Sequence, residues 1–411
     1  MPYSTPSPSA SPSSAPSIPA SPSPSGQSEL PPIHFGRPIL GDEERQAVLE
    51  VLDSPQLVHG PRAELFEADF AEWCGGGEAI TVSSCTAGLH LGYFQMKLGA
   101  GGEVIVPAQT HTATAHAVEY CGAKPVFVDA EPETGNIDID RIEHAITDRT
   151  RAISVVHYLG MPVDMDRVMA IAAKYGLPVI EDAALAVGSY VNGVHAGLIG
   201  DLGCFSFYPV KHMTTAEGGM LLTRDSEIAA RVRRQKAFGL DRTVVERKEP
   251  GIYDVTQLGF NYRMNELQAA IGIQQLKRIP DFLAARHRNY WRLEAGLKEI
   301  DEIDLFQSNH AHLESSHYCL SVILKGRAEG RRSEIVQGLK DRGIGSSVYY
   351  PGPVPMLTYY REKYDLNPAD YPVASRISNQ SIALPVGPHL DEADMDRIAS
   401  SLKGAINDVI R

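Results

Sequence analysis

The sequence has few cysteines, and they are widely separated. Five occur among 411 residues, and no two of them form a C-x-x-C pair. An odd number at such spacings argues against a disulfide framework and against a zinc site, and it is typical of reduced thiols in the cytoplasm. We therefore expect a cytoplasmic protein without a metal centre, in which each cysteine is a small buried apolar residue.

Positive charge and long apolar runs are scarce as well. The chain carries 38 lysines and arginines against 51 aspartates and glutamates, which gives a formal net charge of -13. A protein whose main partner is a nucleic acid needs a basic surface, so the charge balance argues against that class. No apolar run approaches the ~20 residues that cross a bilayer. The composition predicts a soluble protein with no nucleic-acid partner and no membrane partner.

Residues 1–32 differ in composition from the rest of the chain. They are nearly all Ser, Pro and Ala, and the first Lys or Arg of the sequence is Arg37. Such a segment buries too little apolar surface to offset the entropy lost on ordering, so we predict a disordered tail. The segment has neither the apolar core of a secretory signal nor the arginines of a transit peptide, so it matches neither kind of address, and a linker and an extended start are the alternatives for it.

From Ile33 onward, strand-like and helix-like stretches alternate. Helical patterns cover 113–120 and 164–175, and the second of these places its apolar residues on one face. Near-continuous apolar runs, typical of strands buried on both faces of a parallel sheet, read EVIVP (103–107), PVFVD (125–129), RAISVVH (151–157) and LPVIED (177–182). This alternation predicts an α/β fold with a mostly parallel sheet between helices.

The pattern changes after about residue 265. A long helical stretch that we expect to break near Pro280 is followed by a strand at 318–324, a helix at 331–343 and a closing helix at 391–410. We therefore predict a large domain at 33–265 and a smaller C-terminal α/β domain at 266–411, joined by the long helix.

Ligands of open α/β sheets bind beyond the carboxyl ends of the strands, and two polar groups stand there. Small residues at 83–86 precede a helix, where bare N–H groups and the helix dipole attract an anion; an ordinary N-cap serine is the alternative. Asp182 ends an apolar strand, where a carboxylate needs a cationic partner such as a protonated ring nitrogen. A helix-capping role is the alternative for Asp182.

Two cationic residues complete the set. Lys211 follows a strand-like run that carries Ser206 and precedes an Ala-Glu-Gly-Gly turn. A lysine in an enclosed site has a lowered pKa and can form a Schiff base with a carbonyl, whereas the alternative is a solvated loop lysine. Arg263, close to Asn261 and before a helix, is a candidate anchor for an acidic substrate, or a solvated helix-start residue.

The order of these residues is more informative than any one of them. A phosphate-binding helix start, a strand-end carboxylate and a lysine after a serine-bearing strand are together what pyridoxal 5′-phosphate requires. The lysine would bond to the cofactor's aldehyde carbon, the carboxylate would keep the ring nitrogen protonated, and the helix start would hold the phosphate. We therefore predict pyridoxal phosphate as the cofactor.

From about Phe35 to the C-terminus, the chain resembles the DegT-type (DegT/DnrJ/StrS) sugar aminotransferases, which are fold type I pyridoxal-phosphate enzymes. The resemblance implies amino-sugar biosynthesis on nucleotide-linked keto sugars. The matching motifs are VPAQTHTATAHAV, FVDAEPETGNID, HYLGMPVDMD, IEDAALAVGS, GDLGCFSFYPVKHMTTAEGGML, LGFNYRMNELQAAIG and VYYPGPVPMLTYY.

The resemblance assigns roles to the residues that bind the cofactor. It implies that Lys211 is the Schiff-base lysine and the general acid/base, and that Asp182 is the partner of the pyridine nitrogen. Ser206 matches the phosphate-binding serine. Cys85 and Thr86 match the residues whose backbone contacts the phosphate.

Other positions concern the ring, the partner subunit and the substrate. His111 falls where the family stacks an aromatic residue on the cofactor, with a polar loop histidine as the alternative. Asn261 corresponds to a phosphate ligand lent by a neighbouring subunit, and Arg263 to the residue facing the donor carboxylate, which implies a homodimer. Tyr349 stands where the substrate motif commonly has histidine, and Leu185 where a Gln or His usually contacts the cofactor's phenolic oxygen.

The resemblance also separates two reactions. A dehydratase branch of the family has histidine at the position of Lys211, so the lysine favours transamination, with L-glutamate as the expected donor. The alternatives are a pyridoxal-phosphate-dependent sugar dehydratase or deoxygenase, an aminotransferase acting on a keto sugar acid or a cyclitol, and a cofactor-binding protein without turnover. The neighbouring His212 has no assigned role.

Overall fold

The computed structural model describes residues 31–241, 249, 251–310 and 312–411. The disordered tail predicted for residues 1–32 therefore lies almost entirely outside the described residues. Residues 32–411 form one compact unit. The predicted boundary between residues 265 and 266 falls inside this unit and stays a prediction.

The strands of the described residues belong to three sheets. Their bounds, in chain order, are β1 (Glu78–Val82), β2 (Glu103–Pro107), β3 (Lys124–Val128), β4 (Thr150–Val156), β5 (Val179–Asp182), β6 (Tyr190–Val191), β7 (Val194–His195), β8 (Leu202–Ser206), β9 (Gly219–Thr223), β10 (Ile303–Leu305), β11 (Asn309–His310), β12 (Leu313–Glu314), β13 (Leu320–Leu324) and β14 (Ser381–Leu384).

The largest sheet has seven strands in the order β1-β9-β8-β5-β4-β2-β3. The strands from β8 to β3 in this order are mutually parallel, whereas β9 runs antiparallel to both of its neighbours. The four apolar runs read from the sequence correspond to β2, β3, β4 and β5, and most of their residues are buried. The predicted α/β class with a mostly parallel sheet is confirmed.

Helices cover both faces of this sheet. The α-helices of the whole described part of the chain are α1 (Asp42–Leu52), α2 (Pro61–Trp73), α3 (Cys85–Gln95), α4 (Thr112–Tyr120), α5 (Ile139–Ala145), α6 (Met165–Tyr175), α7 (Ser226–Gln235), α8 (Glu266–Leu297), α9 (Arg332–Asp341), α10 (Thr358–Tyr364), α11 (Pro372–Gln380) and α12 (Glu392–Ile410). On one face α3 and α4 bury apolar side chains against the strands. On the other face α2 and α8 pack at one end, and α5 and α6 at the other.

The long helix corrects one expectation. It does not break near Pro280; α8 continues from Glu266 to Leu297 with the proline inside it. A proline removes one helical hydrogen bond and crowds the preceding turn, which usually kinks or ends a helix. Here packing against other helices keeps α8 continuous. Its first half lies against α1 and α2, and α12 also packs along it.

Two smaller sheets complete the fold. Strands β10, β13 and β14 form an antiparallel sheet that shares a core with α8, α9 and α12. Two-residue strands form the other sheet, in the order β11-β12-β6-β7. Within the described ranges, no helix is both long enough and apolar enough to cross a membrane.

Candidate active site

The carboxyl edge of the large sheet brings the predicted cofactor residues together. Asp182 is the last residue of β5 and Ser206 the last residue of β8. Because β9 is antiparallel, its first residue, Gly219, pairs with both Ser206 and Val82 at the same edge. Helix α3 begins three residues after Val82. The helix start, the serine and the carboxylate therefore lie around one end of the sheet.

The start of α3 is built to leave its N–H groups facing this edge. Ser84 caps the helix by accepting a hydrogen bond from the Ala87 N–H at 3.1 Å. A Cβ at Gly219 would lie 2.5 Å from the nitrogen of Cys85 and 2.8 Å from the carbonyl oxygen of Phe205, so only glycine lets β9 pass this close. The first N–H groups of a helix lack partners within it, and the dipole makes this end positive.

Ser206 adds a hydroxyl beside the helix start. Its oxygen lies 3.4 Å from the Tyr208 N–H, from which it accepts a hydrogen bond, so the hydroxyl hydrogen remains available to an anion. A helix N-terminus with an adjacent hydroxyl donor is a suitable phosphate site.

Asp182 is a buried carboxylate surrounded by hydrogen-bond donors. Its Oδ2 accepts from the Thr114 hydroxyl at 2.8 Å, and its Oδ1 accepts from the Ala184 N–H at 3.1 Å. The Cys85 thiol lies 3.8 Å from Oδ1. Only 4% of Asp182 is exposed, and within the described residues it forms no ion pair with Lys, Arg or His. A buried carboxylate of this kind calls for a cationic partner, which a protonated pyridine ring supplies.

Lys211 is half-buried beside the same group of residues. Its Nζ lies 5.5 Å from the centroid of the Tyr318 ring. Burial lowers the pKa of Lys211, while the charge of the Asp182 carboxylate acts in the opposite direction. The enclosed position does not match a solvated loop lysine, and a lowered pKa increases the share of neutral, nucleophilic amine. A phosphate site, a carboxylate that needs a cation and this amine fit pyridoxal phosphate.

His111, Tyr349 and Leu185 surround these groups. His111 caps α4 through its Nδ1, which accepts from the Ala113 N–H at 3.1 Å, and its ring lies edge-on to Tyr350 at 5.6 Å between centroids. The Tyr349 hydroxyl is 2.8 Å from the Tyr318 hydroxyl. Leu185 is 2% exposed and packs in the apolar core, so this position offers the cofactor no polar side chain.

Asn261 and Arg263 are not joined to this group within the chain. Asn261 is exposed, and its backbone bridges to Ala237. Arg263 places a guanidinium nitrogen 3.2 Å from Nε2 of His59. In the described part of the chain neither residue forms a hydrogen bond or ion pair with Lys211 or Asp182.

Three site residues were not predicted from the sequence. Thr114 contacts Asp182, Thr110 contacts Thr114 at 2.8 Å, and Tyr318 lies against Lys211. The threonines stand at a helix start, where threonine is common for local reasons, so nothing in the pattern singled them out.

His212 is buried with its ring 5.5 Å from that of Tyr318, and burial, together with the Arg286 charge, lowers its pKa.

The fold and this constellation define a class of enzyme. A lysine, a strand-end carboxylate and a helix start at the carboxyl edge of a mainly parallel sheet are the parts of a pyridoxal-phosphate-dependent aminotransferase. The model of the DegT/DnrJ/EryC1/StrS aminotransferase family matches residues 38–403. The chain belongs to this family.

Relatives in sequence and structure agree with the assignment. The spore coat polysaccharide biosynthesis protein SpsC of Bacillus subtilis is 36% identical over 380 residues, which cover 90% of this chain and 96% of SpsC. Spr1654 of Streptococcus pneumoniae, assigned as a sugar aminotransferase and solved in its PMP form, superposes with a TM-score of 0.87 at 28% identity, covering 92% of this chain and 100% of Spr1654. PseC of Helicobacter pylori, an aminotransferase involved in the biosynthesis of pseudoaminic acid, gives a TM-score of 0.85 at 28% identity, with 92% and 100% coverage. Spr1654 is also known in a PLP form.

Proposed function

We propose that the protein is an aminotransferase that moves the amino group of L-glutamate to a nucleotide-linked keto sugar in amino-sugar biosynthesis. The observation that carries the proposal is the position of Lys211, an amine of lowered pKa beside the carboxylate of Asp182. The lysine and the carboxylate are the two groups that transamination with pyridoxal phosphate needs. SpsC, by its name a polysaccharide biosynthesis protein, and PseC support an amino-sugar pathway.

Each residue has a distinct part in this proposal. The bound cofactor supplies an electron sink for the carbon that loses its proton. Lys211 would bond to the cofactor and, as an amine of lowered pKa, would also be the base that moves that proton. Asp182 holds the ring nitrogen protonated. Ser206 and the backbone of Cys85 and Thr86 bind the phosphate.

The ring and the substrate are held by a second set of residues. His111, at the start of α4, would stack on the cofactor ring. The paired hydroxyls of Tyr349 and Tyr318 offer hydrogen bonds to a sugar next to Lys211. The neutral side chain of Leu185 leaves the cofactor's phenolic oxygen without the usual polar partner.

The active form in this proposal is a cytoplasmic homodimer. Asn261 is exposed, and it would bind the cofactor phosphate of the partner subunit, while Arg263 would face the carboxylate of the amino donor. Large apolar side chains are also exposed on and near α1 and α2, as expected for a surface that another chain covers: Leu40, Leu49, Leu52, Leu57, Val58 and Leu65. The cysteines within the described residues are free, which suits a reducing compartment.

The test is a half-reaction with L-glutamate. The holoenzyme should convert to the pyridoxamine phosphate form and release one 2-oxoglutarate per site, and a keto sugar should then return it to its starting spectrum. Mass spectrometry over a panel of nucleotide-linked keto sugars, keto sugar acids and cyclitols would identify the amine product. Release of dehydrated sugar without 2-oxoglutarate would favour the dehydratase alternative and overturn the proposal.

A further inference from the structure

The environment of Asp182 contains a chain of hydroxyl groups that ends on the carboxylate. Thr110 Oγ1 lies 2.8 Å from Thr114 Oγ1, which lies 2.8 Å from Asp182 Oδ2. Thr110 is 1% exposed and Thr114 is 0% exposed, so bulk water does not compete for these bonds. Thr114 lies in the first turn of α4, sixty-eight residues before the aspartate, and Thr110 lies just before the residue that caps this helix.

The direction of the chain follows from counting hydrogens. An ionised carboxylate has no hydrogen to give, so the Thr114 hydroxyl donates to Asp182. A threonine has one hydroxyl hydrogen, and that of Thr114 is then in use. Thr110 must therefore donate to Thr114, and the two hydroxyls are aligned head to tail toward the carboxylate.

The remaining neighbours of the carboxylate are donors too. The Ala184 N–H donates to Oδ1 at 3.1 Å. The Cys85 thiol lies 3.8 Å from the same oxygen and 3.5 Å from the carbonyl oxygen of Cys204. Burial, reinforced by the charge of Asp182, raises the pKa of this thiol well above the usual range, so it stays protonated and its single hydrogen goes to one of these two acceptors. Donors on both oxygens favour the ionised form of a carboxylate over the protonated form.

We propose that Thr114, oriented by Thr110, is a positioning residue that fixes the Asp182 carboxylate by a hydrogen bond, so that the proton shared with the cofactor's ring nitrogen rests on the ring. This inference depends on the proposed role of Asp182 and extends it. Without this donor the negative charge on the carboxylate is less well stabilised, and the shared proton moves from the ring toward Asp182. The ring becomes a weaker electron sink although Asp182 itself is unchanged.

The start of α4 links the hydrogen bond to Asp182 with the proposed contact between His111 and the cofactor ring. Thr110 and Thr114 flank His111, and the Thr114 N–H donates to the His111 carbonyl at 3.2 Å. One helix start therefore carries both the residue proposed to stack on the ring and the hydroxyl that supports the carboxylate. A displacement of α4 would change both contacts together.

The test reads the ring nitrogen directly. The holoenzyme is prepared with pyridoxal phosphate labelled with 15N in the ring, and the 15N chemical shift is followed over pH. In Thr114→Val, which removes the hydroxyl and keeps the shape, the ring protonation equilibrium should shift about tenfold toward the unprotonated form, as expected for losing a hydrogen bond to a charged group. Thr114→Ser keeps the hydroxyl and should keep the wild-type shift.

Thr110→Val provides an independent variant, because Thr110 does not touch Asp182. It should move the ring equilibrium in the same direction as Thr114→Val and by less, and it carries the test if Thr114→Val does not fold. If a folded Thr114→Val protein shows the wild-type 15N chemical shift of the ring nitrogen, the inference is wrong. If Thr114→Val does not fold, the same result in Thr110→Val overturns the inference. An unprotonated ring nitrogen in the wild-type protein would instead contradict the proposed role of Asp182.

Discussion

Substitution of Gly219 tests how the cofactor's phosphate is held. An added Cβ would lie 2.5 Å from both the Cys85 nitrogen and the Ser84 carbonyl carbon, against 3.4–4 Å for ordinary contacts. These are backbone atoms that cannot rotate away, so the start of α3 must move by roughly 1 Å to relieve the overlap. Overpacking of this kind costs about 1–3 kcal/mol.

The consequence should appear in cofactor affinity. The displaced atoms belong to the N–H groups proposed to bind the phosphate. If most of the cost falls on the cofactor-bound form, Gly219→Ala should weaken binding of pyridoxal phosphate by about tenfold to a hundredfold, since 1.4 kcal/mol is a factor of ten. Titration of the apoprotein with the cofactor, followed by absorbance and tryptophan fluorescence, gives the dissociation constant.

A matched control separates the site from the fold. Gly404 lies inside α12, where the three atoms nearest to an added Cβ belong to the guanidinium of Arg342, at 3.3–3.7 Å. Gly404→Ala should keep wild-type cofactor affinity and gain up to about 1 kcal/mol in stability from helix propensity. Wild-type affinity in a folded Gly219→Ala protein would refute the placement of the phosphate at the start of α3.

Two further predictions concern the subunit pair and the buried charges. Mixing inactive Lys211→Ala and Asn261→Ala subunits at equal amounts should restore about a quarter of the wild-type activity, because about half of the dimers then contain one subunit of each kind and each such dimer has one intact site of two. No recovery after verified subunit exchange would count against a site shared between subunits. Lys236 donates to Glu67 at 2.8 Å. Burial alone would raise the pKa of Glu67, but the charge and hydrogen bond of Lys236 hold it below 4.5. The ionised Glu67 side chain therefore contributes to stability above pH 4.5, and this contribution is lost as the pH falls below that value. Lys236→Met should lower the free energy of unfolding by about 3 kcal/mol at pH 7, with a smaller deficit at pH 4 in denaturant titrations; an equal deficit at both values would contradict this assignment.

The elements of the sheet could be predicted from the sequence because their signals are local. The run at 103–107 coincides with β2, and the run at 151–157 differs from β4 by one residue at each end. A short run rich in β-branched residues and bounded by Gly or Pro is typical of a buried strand, and this signal depends on neighbouring residues alone. The two-residue strands β6, β7, β11 and β12 carry no such run, and their pairing was not predicted.

Contacts between distant residues explain what the sequence could not show. Asp182 ends β5 and Lys211 follows β8, which pairs with β5 in one sheet, so their meeting at its edge was predictable from topology. The Tyr318 ring reaches Lys211 from the loop before β13, and the Thr114 hydroxyl reaches Asp182 from α4. The prediction of a helix break near Pro280 was wrong, because packing along α8 outweighed the local helix-breaking effect of the proline.

The central claim is that Lys211 bonds to the cofactor, and chemical trapping tests it most directly. Sodium borohydride reduces the bond between pyridoxal phosphate and its lysine to a stable one, and proteolysis with mass spectrometry then identifies the labelled residue. We expect the pyridoxyl phosphate group on the peptide that contains Lys211, and no visible cofactor band in Lys211→Ala. A label on another lysine, or an unchanged band in Lys211→Ala, would contradict the account.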